Sequence, residues 1–286
     1  MFVPRKIIES KLLQLLSDDI GRGDVTTATV IPQGAVAEAL VIAKETGVAA
    51  GLEEITILSE SLGLKAEGAV SDGAEIKKGQ IAVKISGDAQ TILSAERTML
   101  NLLSRMSGIA TATKRLVEKL HKVGLATTIA ATRKSAPGLS YFDKKAVLLG
   151  GGDPHRLHLD DMILIKDNHI AIVGSVEAAI EKAKLKSSFS KKIEVEVTKA
   201  SDALRAAKTG ADIVMLDNFS PKQVRQAVES FKKEGFFGKV LLEASGGITD
   251  GNLLEYALTG VDVLSLGALT HSVRALDVSL EITKVH

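Results

Sequence analysis

The sequence predicts an α/β protein, a small antiparallel segment followed by a run of parallel βαβ units, and three observations carry that expectation. Residues 34–93 are short β-branched or alternating runs broken by Gly and Asp, such as "AEALVIAKETGVAAG" and "GAVSDGAEIKKGQIAVKISG", the texture of strand, turn, strand. From about residue 125 short apolar runs alternate with helical stretches. Two of those helices end alike, "KTGADI" and "LTGVDV", with Gly placed as a C-cap ahead of an apolar strand. Strands that alternate with helices pair in parallel, so at least six of them form a barrel or a doubly wound sheet.

Each element follows from its local pattern. Residues 5–16 read as an amphipathic helix, with Ile7, Ile8, Leu12, Leu15 and Leu16 at helical spacing. "SAERTMLNLLSRMSGIATATKRLVEKL" reads as a helix with Ser94 as its N-cap and a break at Gly108. A domain boundary near residue 100 gives a first domain of 1–100 and a second of 101–271. The expected strands of the second domain are "TTIAAT", "MILIK", "IEVEV", "DIVML", "KVLLEA" and "DVLSLG". The helices between them are expected at 175–186, 200–208, 221–233 and 250–258.

Composition narrows the function. With 45% hydrophobic and 25% charged residues the chain is an ordinary globular protein. A net charge of +1 argues against broad nucleic-acid or membrane-surface binding, so any basic site is local. Aromatic residues are 3% with no Trp, which disfavours a stacking platform for single strands. No cysteine is present, which excludes disulfides and thiolate metal sites and fits a reducing, cytoplasmic compartment. The first residues lack a signal-like apolar core, and no apolar run approaches membrane-spanning length.

Polar residues recur at the C-terminal ends of the expected strands. "TTIAATRK" ends in Arg133 and Lys134, "MILIKDNH" in Lys166, Asp167 and His169, "DIVMLDN" in Asp217 and Asn218. "KVLLEASGG" carries Glu243 and Ser245, and "DVLSLGALTH" runs through Gly267 to His271. In "IEVEV", period-two alternation puts Glu194 and Glu196 on one face. A single charge at a strand end is ordinarily just solvated, and Glu194 and Glu196 could be structural ion pairs. Strand after strand delivering charge to one rim is the pattern of a catalytic face. Arg133, Lys134, His155, Arg156 and Lys166 would form an anion site, with Arg suited to bidentate carboxylate or phosphate recognition. Glu196 and Asp217 would oppose them with oxygen ligands for a hard cation such as Mg²⁺. The glycine-permissive loops "EASGG" and "SLGAL" suit a phosphate, so the substrate should be a polyanion, a phosphorylated sugar carrying diphosphate. No H-x-x-x-H or HExxH spacing supports zinc.

Together "AERTMLNLLSRMSGIAT", "TRKSAPGL", "GGGDPHR", "LIKDNH", "EVEV", "MLDNF", "EASGGI" and "GVDVLSLGALTHS" resemble the quinolinate phosphoribosyltransferase family over nearly the whole chain, "DIGRGDVTT" included. The resemblance implies an N-terminal α/β sandwich domain, an incomplete parallel, TIM-like α/β barrel, and a tail, 272–286, that returns to the first domain. It implies conversion of quinolinate and phosphoribosyl diphosphate into nicotinate mononucleotide, diphosphate and CO₂, with Mg²⁺. It also implies that Arg97, Thr132, Arg133, Lys134, His155, Arg156 and Lys166 surround the substrates. Glu196 and Asp217 fall at the metal–ribose region, and Ser245, Gly246, Gly267 and His271 on the phosphate side. Lys134, Lys166, Glu196 and Asp217 are the expected catalytic residues. In the family the residue matching Arg97 reaches a neighbouring subunit's site, which implies a homodimer with shared active sites, or a homohexamer. The sequence departs from the family's usual pattern at Ala131, before "TRK", and at Pro154, before His155; neither change removes a charge. A related group linked to molybdate transport shares parts of the pattern but looks less like this chain at "IKDNH". Two other readings stand beside it, a barrel lyase with Lys166 as a Schiff base and a non-catalytic binder of phosphorylated metabolites.

Overall fold

Two main sheets of different kind organise the chain, each in its own compact unit, and the first unit also holds a short two-stranded ribbon. The structure, a computed structural model, describes residues 3–286. The first unit comprises the chain through Lys114, Leu148–Gly151 and Val273–His286. Its elements are α1 (Arg5–Ile20), α2 (Val25–Val30), β1 (Val36–Ala43), β2 (Gly47–Val48), α3 (Leu52–Ser61), β3 (Lys65–Gly68), β4 (Glu75–Ile76) and β5 (Ile81–Asp88). Most of α4 (Ala89–His121) follows. The second unit, Arg115–Val147 and Gly152–Ser272, holds β6 (Thr128–Ala130), most of α5 (Ser140–Leu149), β7 (Ile163–Ile165), α6 (Asp167–Val173), α7 (Val176–Lys186), β8 (Ile193–Val197) and α8 (Ala200–Thr209). It continues with β9 (Ile213–Asp217), α9 (Pro221–Lys233), β10 (Leu241–Ser245), α10 (Leu253–Ala257), β11 (Val263–Ser265) and α11 (Ala268–His271). The last strand, β12 (Val278–Val285), belongs to the first unit.

In the first unit the sheet order is β12-β1-β5-β3, with antiparallel pairs throughout. β1 is central and alternates exposed or half-buried with buried residues, the period-two signature of a sheet with one covered face. In α1, Ile8, Leu12 and Leu16 are the buried stripe, whereas Ile7 is 61% exposed. The helix read as starting at Ser94 starts at Ala89 instead, because Asp88 accepts from Thr91 N–H at 2.8 Å and takes the cap. Nor does Gly108 break α4, which runs on for 33 residues. A β-carbon there would lie 2.1 Å from the Arg274 carbonyl oxygen, so the glycine admits the returning tail. The first unit runs through Lys114, so that the division falls within α4.

In the second unit the six strands are parallel, in the order β6-β11-β10-β9-β8-β7. That is the neighbour sequence of a (β/α) barrel lacking the β6–β7 pair, hence an incomplete barrel. α9 starts at a capping box of Ser220 and Gln223, and α8 ends on Gly210 in the left-handed conformation, as its sequence predicts. Registers align the strand ends: Asp217 with Ser245, Ser245 with Ser265, Ser265 with Ala130, Ile165 with Val195. Residues at or just past these positions therefore converge on one rim. Among the described residues no helix is long and apolar enough to cross a membrane.

Candidate active site

At that rim lies a cleft of about 450 Å³, lined by the second unit alone. Thr132, Arg133, Lys134, His155, Arg156, Lys166, Glu196, Asp217, Ser245 and Gly246 all line it. Gly267 and His271 stand beside it: a β-carbon on Gly267 would lie 3.0 Å from the His271 ring and 3.3 Å from Lys134 Cδ. Arg97 is exposed on α4, in the first unit, and is not part of the lining.

Each charged group has a local reason for its place. Lys166 precedes α6, and its backbone N–H donates to His169 Nδ1 at 2.9 Å, so His169 of "IKDNH" serves as a helix-start acceptor. Lys166 Nζ bonds Glu196 Oε2 at 2.7 Å. The Asp217 carboxylate accepts from Asn218 Nδ2 at 2.7 Å. Burial, then the charge of Glu196, hold the Asp217 carboxyl above its usual range. Asn218 sits at φ +57°, and its Oδ1 would lie 2.2 Å from a β-carbon on Gly246, so only glycine lets these two strand ends close together.

Hydrogen bonds from several elements hold the segment 153–156. Asp153 Oδ1 accepts from His155 N–H at 2.6 Å, Arg156 N–H donates to His155 Nδ1 at 2.8 Å, Lys144 Nζ donates to the Pro154 carbonyl, and His155 Nε2 lies 3.2 Å from Glu243 Oε2. Pro154 thus leaves His155 and Arg156 at the cleft. Its carbonyl engages a lysine that is fully buried and whose pKa burial pulls down to about 8. Leu157 and His158 N–H groups both bind Asp161, which fixes the outgoing chain.

Glu194, Glu243 and Ser265 form a floor; the sequence reading counts Glu243 among the strand-end polar residues and Glu194 as a possible ion pair, but places none of the three among the site residues. Glu243 is 2% exposed, accepts from Ser265 Oγ and faces His155. Glu194 is fully buried, 3.4 Å from His155 Nε2, and neither of its oxygens has a hydrogen-bond partner. Burial first, then the charge of Glu243, push the Glu194 carboxyl up to about 8, so it is predominantly protonated at neutral pH. The signal in the sequence was the carboxylate in an otherwise apolar strand, "IEVEV" and "LLEAS", because an unpaired charge there is costly. Lys144 drew no reading from the sequence.

Arranged this way, four cations, Arg133, Lys134, Arg156 and Lys166, and two carboxylates, Glu196 and Asp217, line one cleft, with Lys166 and Glu196 paired. Such a site grips a ligand with several negative charges at one end and an electron-poor or hydroxyl-bearing centre at the other.

Comparisons with known proteins agree with that chemistry. Residues 24–107 match the family model for the N-terminal domain of quinolinate phosphoribosyl transferase, and residues 109–281 that for its C-terminal domain. The chain is 48% identical over 276 residues to the probable nicotinate-nucleotide pyrophosphorylase (carboxylating) of Methanocaldococcus jannaschii, covering 96% of each. It is 45% identical over 269 residues to the protein of the same description from Methanothermobacter thermautotrophicus, covering 94% of this chain and 96% of that one. The solved nicotinate-nucleotide pyrophosphorylase of Francisella tularensis superposes with a TM-score of 0.88 at 35% identity, over 99% of this chain and 98% of that one.

Proposed function

The chain belongs to the quinolinate phosphoribosyltransferase family, and on that premise we propose how its cleft divides the work of the reaction. The enzyme is a pentosyltransferase of NAD biosynthesis: it transfers the phosphoribosyl group of phosphoribosyl diphosphate to quinolinate, releasing diphosphate and CO₂ and leaving nicotinate mononucleotide. The observation that carries the proposed roles is that Arg133, Lys134, Arg156 and Lys166 line one cleft together with Glu196 and Asp217.

The Arg133–Lys134 pair and Arg156, at the corner that follows His155, take the two carboxylates of quinolinate, for which planar guanidinium groups are suited. Thr132 supports that end, while Ser245, Gly246, Gly267 and His271 lie on the phosphate side. Lys166 leaves Glu196 for the incoming anion. The pyridine nitrogen attacks ribose C1 as the bond from C1 to diphosphate breaks, through an oxocarbenium-like state. Glu196 and Asp217 face the positive ribose and stabilise it. With the ring nitrogen quaternary, the C2–carboxylate bond breaks, its electron pair stays on C2, CO₂ departs and C2 takes up a proton. Much of that step is the substrate's own chemistry, and the protein supplies position and field.

Glu196 and Asp217 also fit a Mg²⁺ site: they are all-oxygen donors on adjacent strands, and their mutual repulsion, felt in the raised Asp217 pKa, is relieved by a cation. Bound there, Mg²⁺ supplies positive charge to the leaving diphosphate. The enzyme works in the cytoplasm, the compartment that a cysteine-free chain fits.

The assay is incubation with quinolinate, phosphoribosyl diphosphate and Mg²⁺, with CO₂ and nicotinate mononucleotide as products. Nicotinate, one carboxylate short, should lose roughly 2–5 kcal/mol of recognition, or about 30-fold or more in kcat/KM. Comparable kcat/KM for the two acids would overturn the assignment of the cationic end.

The assembly is a homodimer with shared sites, or a homohexamer built from such dimers, with Arg97 of one subunit serving the other's cleft. Exposure of Arg97 and a lining drawn from the second unit alone support this. Arg97→Ala and Lys166→Ala should each be nearly inactive. Refolded together, random mixing makes half the dimers hybrids and leaves about a quarter of all sites intact. No recovery, with hybrids confirmed by tagged co-purification, would show that Arg97 does not cross the interface.

A further inference from the structure

A line of hydrogen bonds runs under the rim from Ser265 to Glu243, His155 and Arg156, and it occupies both nitrogens of the imidazole. Ser265 Oγ donates to Glu243 Oε1, and Glu243 Oε2 lies 3.2 Å from His155 Nε2. On the other side of the ring, the Arg156 backbone N–H donates to His155 Nδ1 at 2.8 Å. A backbone N–H is always a donor, so Nδ1 is the acceptor and the ring proton sits on Nε2, aimed at Glu243. In that tautomer no ring nitrogen remains for a ligand. The backbone of His155 is at φ +54°, uncommon for a residue with a side chain, and the bonds that Asp153 and Lys144 make to the N–H and carbonyl of the peptide preceding it help to hold it there. Arg156, next in the chain, lines the cleft.

We infer that Glu243, steadied by Ser265, is a positioning residue: it fixes His155 as the Nε2–H tautomer, His155 fixes the backbone of Arg156, and the Arg156 guanidinium rather than the imidazole meets a substrate carboxylate. This deepens the reading of the cleft as a quinolinate site and rests on it. It assigns His155 a role one residue back from the substrate, and it gives Glu243 and Ser265 a function that their burial alone does not. The groups facing the ring are Glu194 from β8, Glu243 from β10 and Lys144 from α5, with Arg156 beside it. Burial lowers the His155 pKa, but the hydrogen bond and charge of Glu243 chiefly outweigh it and leave it above its ordinary value.

The two roles for His155 predict opposite responses to acid. If the neutral ring is a strut, a proton arriving on Nδ1 removes the acceptor for the Arg156 N–H, and quinolinate binding weakens as pH falls. If an imidazolium touched the substrate, binding would tighten as pH falls. Quinolinate affinity of the unmutated full-length protein is measured by titration calorimetry from pH 5.5 to 8.5, a range in which quinolinate stays ionised, and weakening toward acid is expected. Glu243→Leu should raise the KM for quinolinate about tenfold or more, with a smaller change in kcat. Glu243→Gln should recover to within about threefold, since its amide oxygen still accepts from Nε2–H and its NH₂ meets the Ser265 hydroxyl. Tighter binding toward acid, or a Gln variant as impaired as the Leu variant, would overturn the inference, because either means that charge at the imidazole is what matters. If Glu243→Leu fails to fold, Ser265→Ala replaces it, with a several-fold rise in KM and an unchanged kcat expected; an unchanged KM overturns the inference. Failure of the unmutated protein to turn over quinolinate would be a different result, overturning the reading of the cleft and this inference with it.

Discussion

The rim and the floor of the cleft hold the same residue types and treat them in opposite ways. On the rim, Lys166 and Glu196 pair at 2.7 Å with 45% of the lysine side chain in contact with solvent. On the floor, Glu194 and Glu243 are 0% and 2% exposed and share one histidine. A half-solvated pair gains little from its partner and gives it up readily. A buried carboxylate must be paired or protonated, and both solutions occur here, pairing at Glu243 and protonation at Glu194. The difference separates two tasks. The floor commits its charges to protein partners and so presets the geometry, while the rim leaves its charges free to change partners when a polyanion arrives.

The sharpest way to break this contrast is to remove rim carboxylates. Glu196→Ala and Asp217→Ala should each lower kcat by about 100-fold or more, the usual cost of deleting a group that stabilises transition-state charge. Quinolinate binding by calorimetry should change little, because these side chains face the ribose. Near-normal kcat in both variants would place the metal–ribose chemistry elsewhere.

The floor should show itself in stability rather than turnover, through pH. Glu194 has its folded pKa raised from 4.5 to about 8, so the native chain keeps a proton that the unfolded chain has released. Its contribution is fully present below about pH 4.5 and is lost as pH rises through about 8. Lys144 has its folded pKa lowered from 10.5 to about 8, so the unfolded chain holds the extra proton between those values and stability rises with pH across them. The two contributions meet in a minimum near pH 8. Urea unfolding from pH 5 to 10 should show Glu194→Gln flattening the acidic limb and Lys144→Met the alkaline one. A Glu194→Gln curve parallel to the parent below pH 8 would mean that this carboxyl is ionised in its buried place.

How much of this was legible in the sequence follows the same division. Rim positions were legible because parallel strands end at one face, so Arg133, Lys134, Lys166, Asp217 and Ser245 could be placed by counting along each strand. The floor was not, because period two gives the face of a strand and not the depth or the partner. "IEVEV" put Glu194 and Glu196 on one side, yet one ends fully buried against His155 and the other paired with Lys166. The partner of His155 lies 88 residues away, beyond any local pattern. Tertiary packing likewise overrode the local reading of Gly108, which admits the tail beside Arg274 instead of ending α4, and Asp88 displaced Ser94 as the cap.

The smallest expected effect sharpens the contrast most closely, because it asks whether the rim pair is a lock or a placeholder. Lys166 is held by its backbone, through His169 Nδ1, so its ammonium needs nothing from Glu196 to stay near the cleft. With the lysine half exposed, water screens the attraction and side-chain entropy opposes it. A double-mutant cycle on unfolding free energy, with Lys166→Met and Glu196→Gln, should therefore give a coupling of about 0.2–1 kcal/mol. The coupling should shrink as salt is raised, as expected for charges that solvent reaches. A coupling of several kcal/mol, insensitive to salt, would mean that the pair is desolvated and committed as the floor is. Lys166 would then have to break a costly bond before it could meet a phosphate, and the rim would no longer be the part of the cleft that exchanges partners.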